Sequence, residues 1–143
     1  MAGETGDTPT AEEFRQAAEL RAALRFYARR SEEIARSHGI TPRQYHLLLM
    51  IKGAPDGSER STVTEIAERL QLTQSSVTEL VTRAQEAGLI QRVNSSRDGR
   101  VVHLHLTPTA EEKLAAVVIE HGPDLRRLRE ILSMLGGGAG AGR

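Results

Sequence analysis

Apolar side chains recur every three or four residues between positions 62 and 87, the spacing that places them on one face of a helix. Thr62 is followed three residues later by Glu65, which is the signature of a capping box at a helix start. Thr73 is placed to cap a second helix, and Gly88 is placed to end it. The pattern therefore predicts two short amphipathic helices joined by a turn.

After this pair of helices, apolar side chains recur at every second residue. Residues 89–93 are typical of one strand, and residues 94–99 have the composition of a turn. Residues 101–106 alternate between an apolar face and a face that carries His103 and His105. Two helices followed by a β-hairpin form a winged helix-turn-helix, whose second helix, called here the reading helix, enters the major groove of DNA.

Two further helices are predicted before this pair. Residues 11–38 form a long helix with a thin apolar stripe, which needs a partner surface to be stable. Residues 42–52 follow a Thr41-Pro42 start signal and are apolar nearly all round. We expect this second helix to lie at the centre of the core.

The C-terminal segment is predicted to form two helices. The first runs from Pro108 to about His121, Gly122-Pro123 interrupts it, and Asp124 caps the second. The second helix carries a heptad-like apolar seam of Leu125, Leu128, Leu132 and Leu135. Because both ends of the chain carry apolar seams with little local core, we predict a symmetric dimer. Such a dimer would hold two reading helices about 34 Å apart, one turn of DNA.

The fold class is therefore mainly α with a small β-hairpin. Residues 1–9 are predicted to be disordered, and residues 136–143 are predicted to form a flexible tail. The single domain between them consists of dimerisation helices at residues 10–39 and 108–135 and a winged helix-turn-helix lobe at residues 41–107.

Composition narrows the classes of protein that fit. The 143 residues contain 19 basic and 19 acidic side chains, and this neutrality is unusual for a nucleic-acid-binding protein. The absence of cysteine excludes a disulfide framework and thiol redox chemistry. The sequence contains neither an apolar run of transmembrane length nor a signal peptide, so we expect a cytoplasmic protein without a membrane partner.

Catalytic motifs are absent from the sequence. It contains no nucleophile elbow, phosphate-binding loop, dinucleotide fingerprint or metal-protease histidine pair. His103 and His105 have a spacing that can hold a metal, but a solvent-facing strand surface that grazes phosphate is the favoured interpretation. We therefore predict neither an enzyme nor a metal or cofactor site.

The chain closely resembles the MarR family of bacterial transcriptional regulators from about Phe14 to Leu135. The resemblance rests on three segments in combination: TPRQYHLLLMI, EIAERLQLTQSSVTELVTRAQEAGLIQR and DGRVVHLHLTPTAEE. It implies a homodimer that binds pseudo-palindromic double-stranded DNA. Members of the family usually repress transcription, and many are released from DNA by small, often aromatic, anions.

The resemblance also assigns candidate site residues. Those implied for DNA binding are Thr73, Gln74, Ser75, Ser76, Thr78, Arg83, Arg97, Asp98 and Arg100. Gln74 is suited to pair with adenine, Arg83 with the DNA backbone, and Arg97 with the minor groove. The implied role of Asp98 is to orient Arg100 or to brace the hairpin. His38, Tyr45 and His46 are candidates for binding an effector, in a pocket that the family places where the dimerisation helices meet the DNA-binding lobe.

Two functions remain open at this point. The first is a ligand-responsive DNA-binding regulator, which the arrangement of two helices and a hairpin favours. The alternative is a winged-helix adaptor that binds other proteins and has weak or no affinity for DNA. Three features favour the adaptor: Glu79 on the polar face of the reading helix, the neutral net charge, and a hairpin with few basic residues.

Overall fold

The fold is mainly helical, as predicted. The computed structural model describes residues 7–95, 97 and 99–137. In chain order its elements are α1 (Ala11–Ser37), α2 (Pro42–Lys52), α3 (Val63–Leu70), α4 (Gln74–Glu86), β1 (Ile90–Asn94), β2 (Val102–Leu106) and α5 (Pro108–Gly137). The predicted disorder of residues 1–6 and the predicted tail at residues 138–143 lie outside the described residues.

The described chain divides into two compact units. Glu32–Glu120 form the larger unit, which contains α2, α3, α4 and the hairpin. The described residues before Glu32 and after Glu120 form the smaller unit, from the first part of α1 and the second part of α5. Within the described residues, no helix combines the length and the apolar character that crossing a membrane requires.

Threonine residues cap the starts of α2 and α3, as their spacing predicts. At α2 the Gln44 amide donates to Thr41 Oγ1 at 3.1 Å, and the Thr41 amide donates to Gln44 Oε1 at 2.9 Å, which completes a capping box. At α3 the Glu65 amide donates to Thr62 Oγ1 at 3.2 Å. The Thr62 hydroxyl, rather than its backbone amide, donates back to Glu65 Oε1 at 3.0 Å. These bonds satisfy amide groups that have no partner within the helix.

The turn between α3 and α4 depends on one residue in a left-handed conformation. Gln71 has a φ of 56°, which is unfavourable for a residue other than glycine. Its side-chain Nε2 donates to the Glu68 carbonyl at 2.8 Å, and the Leu72 amide donates to the Ala67 carbonyl at 3.0 Å. These bonds satisfy carbonyl groups at the end of α3 and offset the conformational cost.

The core of the larger unit is built around α2. Its inner side chains Leu47, Leu48 and Ile51 have no exposed surface. The other large side chains that are fully buried come from α3, α4, β2 and α5: Ile66, Val77, Val81, Leu104 and Val117. Apolar burial of this kind is the main source of folding free energy. The prediction that α2 lies at the centre of the core is confirmed.

The hairpin is tied to the core by a third short segment. β1 and β2 pair antiparallel from Ile90 opposite Leu106 to Asn94 opposite Val102. Ser61 pairs with Leu104 on the other edge of β2, with N–O distances of 3.3 and 2.8 Å. Each strand starts one residue later than predicted. The reason at β1 is that the Leu89 amide donates to the Ala84 carbonyl at 2.9 Å and so belongs to the end of α4.

The predicted interruption at Gly122-Pro123 is wrong, because α5 runs without a break through Pro123 to Gly137. Proline has no amide hydrogen and so removes one helical hydrogen bond, the one to the Ile119 carbonyl. Its fixed φ nevertheless suits a helix, and Ile119 is 78% exposed, so water can reach that turn. Gly136 and Gly137, predicted to belong to the tail, form the last turn of α5.

Asp124 is therefore not the helix cap that the sequence predicts. Its Oδ2 accepts from Arg30 Nε at 3.4 Å and lies 3.2 Å from Nδ1 of the buried His121. The His121 ring also packs against Tyr27, with ring centroids 4.3 Å apart. Burial raises the pKa of the Tyr27 hydroxyl, and the negative charge of Asp124 raises it further. These contacts join α1 and α5 within the smaller unit.

Candidate nucleic-acid interface

The reading helix α4 turns its apolar face inward and its polar face outward. Val77, Leu80, Val81 and Ala84 are buried. The side chains between them are exposed, and they include Gln74, Ser75, Ser76, Thr78, Glu79, Thr82 and Arg83. The burial of one face fixes which side chains α4 presents to solvent. The outward polar face is the surface that a winged helix-turn-helix inserts into the major groove.

The first turn of α4 is held by Thr73. The Thr73 hydroxyl accepts from the Ser76 amide at 3.1 Å and lies 2.9 Å from the Ser76 hydroxyl, to which it donates. The Thr73 hydroxyl can donate to a phosphate if it gives up its bond to the Ser76 hydroxyl, and the cap can remain in place. Gln74 and Ser75 stand beside this cap on exposed positions, where the amide groups at the helix start also favour a phosphate.

Arg83 is paired on its own helix. Its Nη2 lies 2.8 Å from Glu79 Oε1, one turn earlier, and both side chains are mostly exposed, at 72% and 66%. An ion pair this exposed is weak and can exchange for another anion. The predicted backbone contact of Arg83 therefore competes with a carboxylate on the same helix.

The turn between β1 and β2, called the wing turn, carries the other residues predicted to bind DNA. Arg97 and Arg100 are exposed, and the Arg97 amide donates to the Ser95 hydroxyl at 3.3 Å. The Ser95 amide donates to the Val101 carbonyl at 2.8 Å, which closes the hairpin. Asp98, predicted to orient Arg100, lies outside the described residues.

A polar cleft on the outer face of the hairpin is lined by residues that lie far apart in the sequence. Its volume is about 490 Å³, and it is lined by Arg60, Val93, Asn94, Ser95, Arg97, His103 and His105. Arg60 could not be recognised from the sequence as part of this cleft. It precedes Ser61, and Ser61 pairs with β2 through a single residue. Periodicity cannot signal so short a segment.

The three candidate effector residues lie in the larger unit. His38 Nε2 is 2.7 Å from Glu120 Oε2, and Tyr45 is buried, with 4% of its surface exposed. His46 is exposed, with its ring 5.7 Å from the Tyr45 ring. Their role in effector binding stays a prediction.

The described part of the chain lacks the cluster of side chains that a metal-binding site requires. In these residues the histidine, aspartate and glutamate side chains form no group of three or more that could hold a metal ion. His103 and His105 therefore have no third ligand among the residues described.

Comparison with known proteins identifies the class. Residues 38–101 match the model described as "MarR family". A MarR family protein of known structure from Bacillus stearothermophilus is 30% identical, with 84% of this chain and 82% of that chain covered and a TM-score of 0.64. Sco3205, a MarR family transcriptional regulator from Streptomyces coelicolor solved in complex with DNA, is 24% identical, with a TM-score of 0.65 over 84% of this chain and 75% of that chain. At this identity the likeness concerns the fold.

A curated relative is similar over a shorter part of the chain. The HTH-type transcriptional repressor MdtR of Bacillus subtilis is 35% identical over 86 residues, which are 60% of this chain and 53% of MdtR. The protein is thus a winged helix-turn-helix transcriptional regulator of the DNA-binding class, and not an enzyme. The chain belongs to the MarR family.

Proposed function

We propose that the protein is a homodimeric, cytoplasmic repressor that binds a pseudo-palindromic operator and is released by a small, aromatic ligand. The observation that carries the proposal is the division of α4 into a buried apolar face and an exposed polar face that begins with Gln74 and Ser75. An exposed polar rod of this kind, followed by a hairpin, has the geometry for major-groove reading.

Exposed apolar surface in the smaller unit supports a dimer. Phe14 is 63%, Phe26 58%, Leu132 44% and Met134 79% exposed. Phe26 also lines a cleft of about 420 Å³ in the same unit, and the other apolar side chains of that cleft are Ala22, Ala23, Leu128 and Ile131. Several large apolar side chains exposed on one unit favour an interface. A second copy of the same surface, related by a two-fold axis, is the partner we propose.

Repression and release are the finer part of the proposal. MdtR, the relative described above, is itself a repressor. A ligand releases DNA only to the extent that it binds more tightly to a conformation with a different spacing of the reading helices. His38, Tyr45 and His46 are the residues we propose for that ligand.

The direct test is a gel-shift titration against the DNA upstream of the protein's own gene at 50 and 200 mM salt. A regulator is expected to shift the duplex at low salt and to bind less tightly at high salt, because phosphate contacts release counterions. Failure to shift this duplex at low salt would sink the proposal and favour the adaptor function.

Replacing Arg97 with alanine is expected to weaken binding to all duplexes to a similar extent. A guanidinium at the wing turn contacts phosphate or the minor groove, and neither contact depends strongly on base sequence. The slope of log K against log salt should fall by about 1. Equal salt slopes for Arg97→Ala and the wild-type protein would contradict this role.

Replacing Gln74 with alanine is expected to change sequence preference instead. A glutamine can make two hydrogen bonds to adenine, and a good pair of this kind discriminates against the wrong base by roughly 1–3 kcal/mol. Selection of bound duplexes from a random pool should show relaxed preference at one position of each half-site. An unaltered selected sequence would remove Gln74 from the set of base-reading residues.

The adaptor function has one specific observation in its favour. Glu79 places a carboxylate on the outward face of α4 and holds Arg83 at 2.8 Å, which lowers the positive charge available to DNA. The formal net charge of zero acts in the same direction. The titration above separates the two functions, since an adaptor needs no affinity for duplex DNA.

A further inference from the structure

We propose that the outer face of the hairpin binds the phosphate backbone of DNA through Arg60, His103 and His105, and that proton uptake by the two histidines strengthens this contact. The inference rests on the proposed function, because it assumes that the protein binds duplex DNA. It adds a phosphate-binding surface beyond α4 and the wing turn. It also makes affinity dependent on pH.

The pairing register places the three side chains on one surface. Ser61 is opposite Leu104, so the antiparallel register puts Arg60 opposite His105 and Thr62 opposite His103. On the other edge of β2, His105 is opposite Gln91 and His103 is opposite Val93. Successive side chains of a strand point to opposite faces. Because Leu104 is buried with 1% of its surface exposed, His103 and His105 point outward.

The cleft on this face is rich in hydrogen-bond donors. Two guanidinium groups, two imidazoles, the Asn94 amide and the Ser95 hydroxyl line it, and none of the described residues that line it carries a carboxylate. Guanidinium and protonated imidazole donate charge-assisted hydrogen bonds to phosphate oxygens. A row of phosphates along one DNA strand therefore fits the chemistry of the cleft.

Among the described residues, charged groups from several elements lie near the two histidines. The segment before α3 supplies Arg60, and the wing turn supplies Arg97. Glu59, next to Arg60, is bonded to Lys52 at 2.9 Å, and Glu65 accepts from Thr62. Arg92 of β1 bonds to Gln85 at 2.8 Å, and Asp98 of the turn lies outside the described residues.

This arrangement couples protonation to phosphate binding. A bound phosphate favours the positively charged form of an imidazole. Phosphate binding should therefore promote proton uptake, and by reciprocity a lower pH should promote phosphate binding. Histidine is the side chain that ordinarily changes charge between pH 5 and 8. Two partly exposed charge pairs of this type should together contribute on the order of a fivefold gain in affinity.

The experiment measures binding of a fluorescent duplex from the upstream region at pH 6 and pH 8, at one ionic strength. The wild-type protein is expected to bind about fivefold more tightly at pH 6. The His103→Gln/His105→Gln variant should lose most of this gain. The matched variant His103→Lys/His105→Lys keeps its charge at both pH values, so its affinity should be high and nearly independent of pH.

A second measurement observes the histidines directly. In an NMR titration, the ring-proton signals of His103 and His105 should have their midpoints at higher pH when a duplex is present than when it is absent. The two glutamine substitutions assign these signals. A shift confined to other histidines would overturn the proposal.

The outcomes also separate this inference from the proposed function. Binding at pH 8 without a gain at pH 6, or a gain that survives in the glutamine variant, would overturn the histidine contact and leave DNA binding intact. The absence of binding to the duplex at either pH and at low salt would overturn both.

Discussion

Replacing Leu132 with glutamate is expected to convert the proposed dimer into monomers and to lower affinity for the proposed operator by about 100- to 10,000-fold. Leu132 belongs to the predicted apolar seam of α5, and 44% of its surface is exposed. A glutamate there costs the protomer little, but a two-fold interface would bury two carboxylates without partners, which is strongly unfavourable. A monomer then binds one half-site without the gain that comes from linking two binding events. Sedimentation equilibrium and the gel shift measure the two effects.

The neighbouring substitution Ser133→Glu is the matched control. Ser133 is exposed on the same helix and lies outside the seam of Leu125, Leu128, Leu132 and Leu135. It adds the same charge one residue away, so we expect the dimer and the affinity to be largely retained. Helical circular dichroism checks that both variants are folded. A Leu132→Glu protein that remains dimeric would disprove the proposed interface, and a monomer with wild-type affinity would disprove the need for two half-sites.

Replacing Leu47 with alanine is expected to lower the free energy of unfolding by about 3 kcal/mol. Leu47 has no exposed surface and packs in the cluster that joins α2 to α3, α4 and the hairpin. The substitution removes apolar contacts and leaves a cavity that close-packed neighbours fill only in part. Urea denaturation followed by circular dichroism, at one fixed protein concentration, measures the change.

Leu72→Ala serves as the comparison for Leu47→Ala. Leu72 is also a leucine of the larger unit, but 41% of its surface is exposed in the turn before α4. Its loss should cost less than about 1 kcal/mol, because little burial is removed. Equal costs for the two leucines would mean that the core is not centred on α2.

The elements that carry strong local signals could be predicted from the sequence. Thr41, Thr62 and Thr73 each cap a helix as their spacing indicates, and Gly88, with a φ of 74°, ends α4. The inward positions of α4 also follow from helical spacing alone. Local hydrogen bonds and burial of one face determine these features, and both are visible in a few neighbouring residues.

Other features depend on contacts between distant parts of the chain. Proline is a common helix terminator, but α5 continues through Pro123, and Asp124 bonds to Arg30 and His121 instead of capping a helix. The cleft on the wing needs Arg60, which reaches the hairpin through one paired residue. A sequence read in local windows contains no signal for either contact. The DNA-binding and effector assignments came from resemblance, and they stay predictions.

The ion pair between Glu79 and Arg83 affects how the protein distributes between its target site and the rest of the chromosome. An arginine that already has a carboxylate partner gains less from an arbitrary stretch of chromosome than an unpaired one, since most non-specific affinity comes from phosphate contacts. Competing genomic sites vastly outnumber any one regulatory site. Under the proposed function, weak retention by bulk DNA would leave a larger share of a small protein pool available to its target gene.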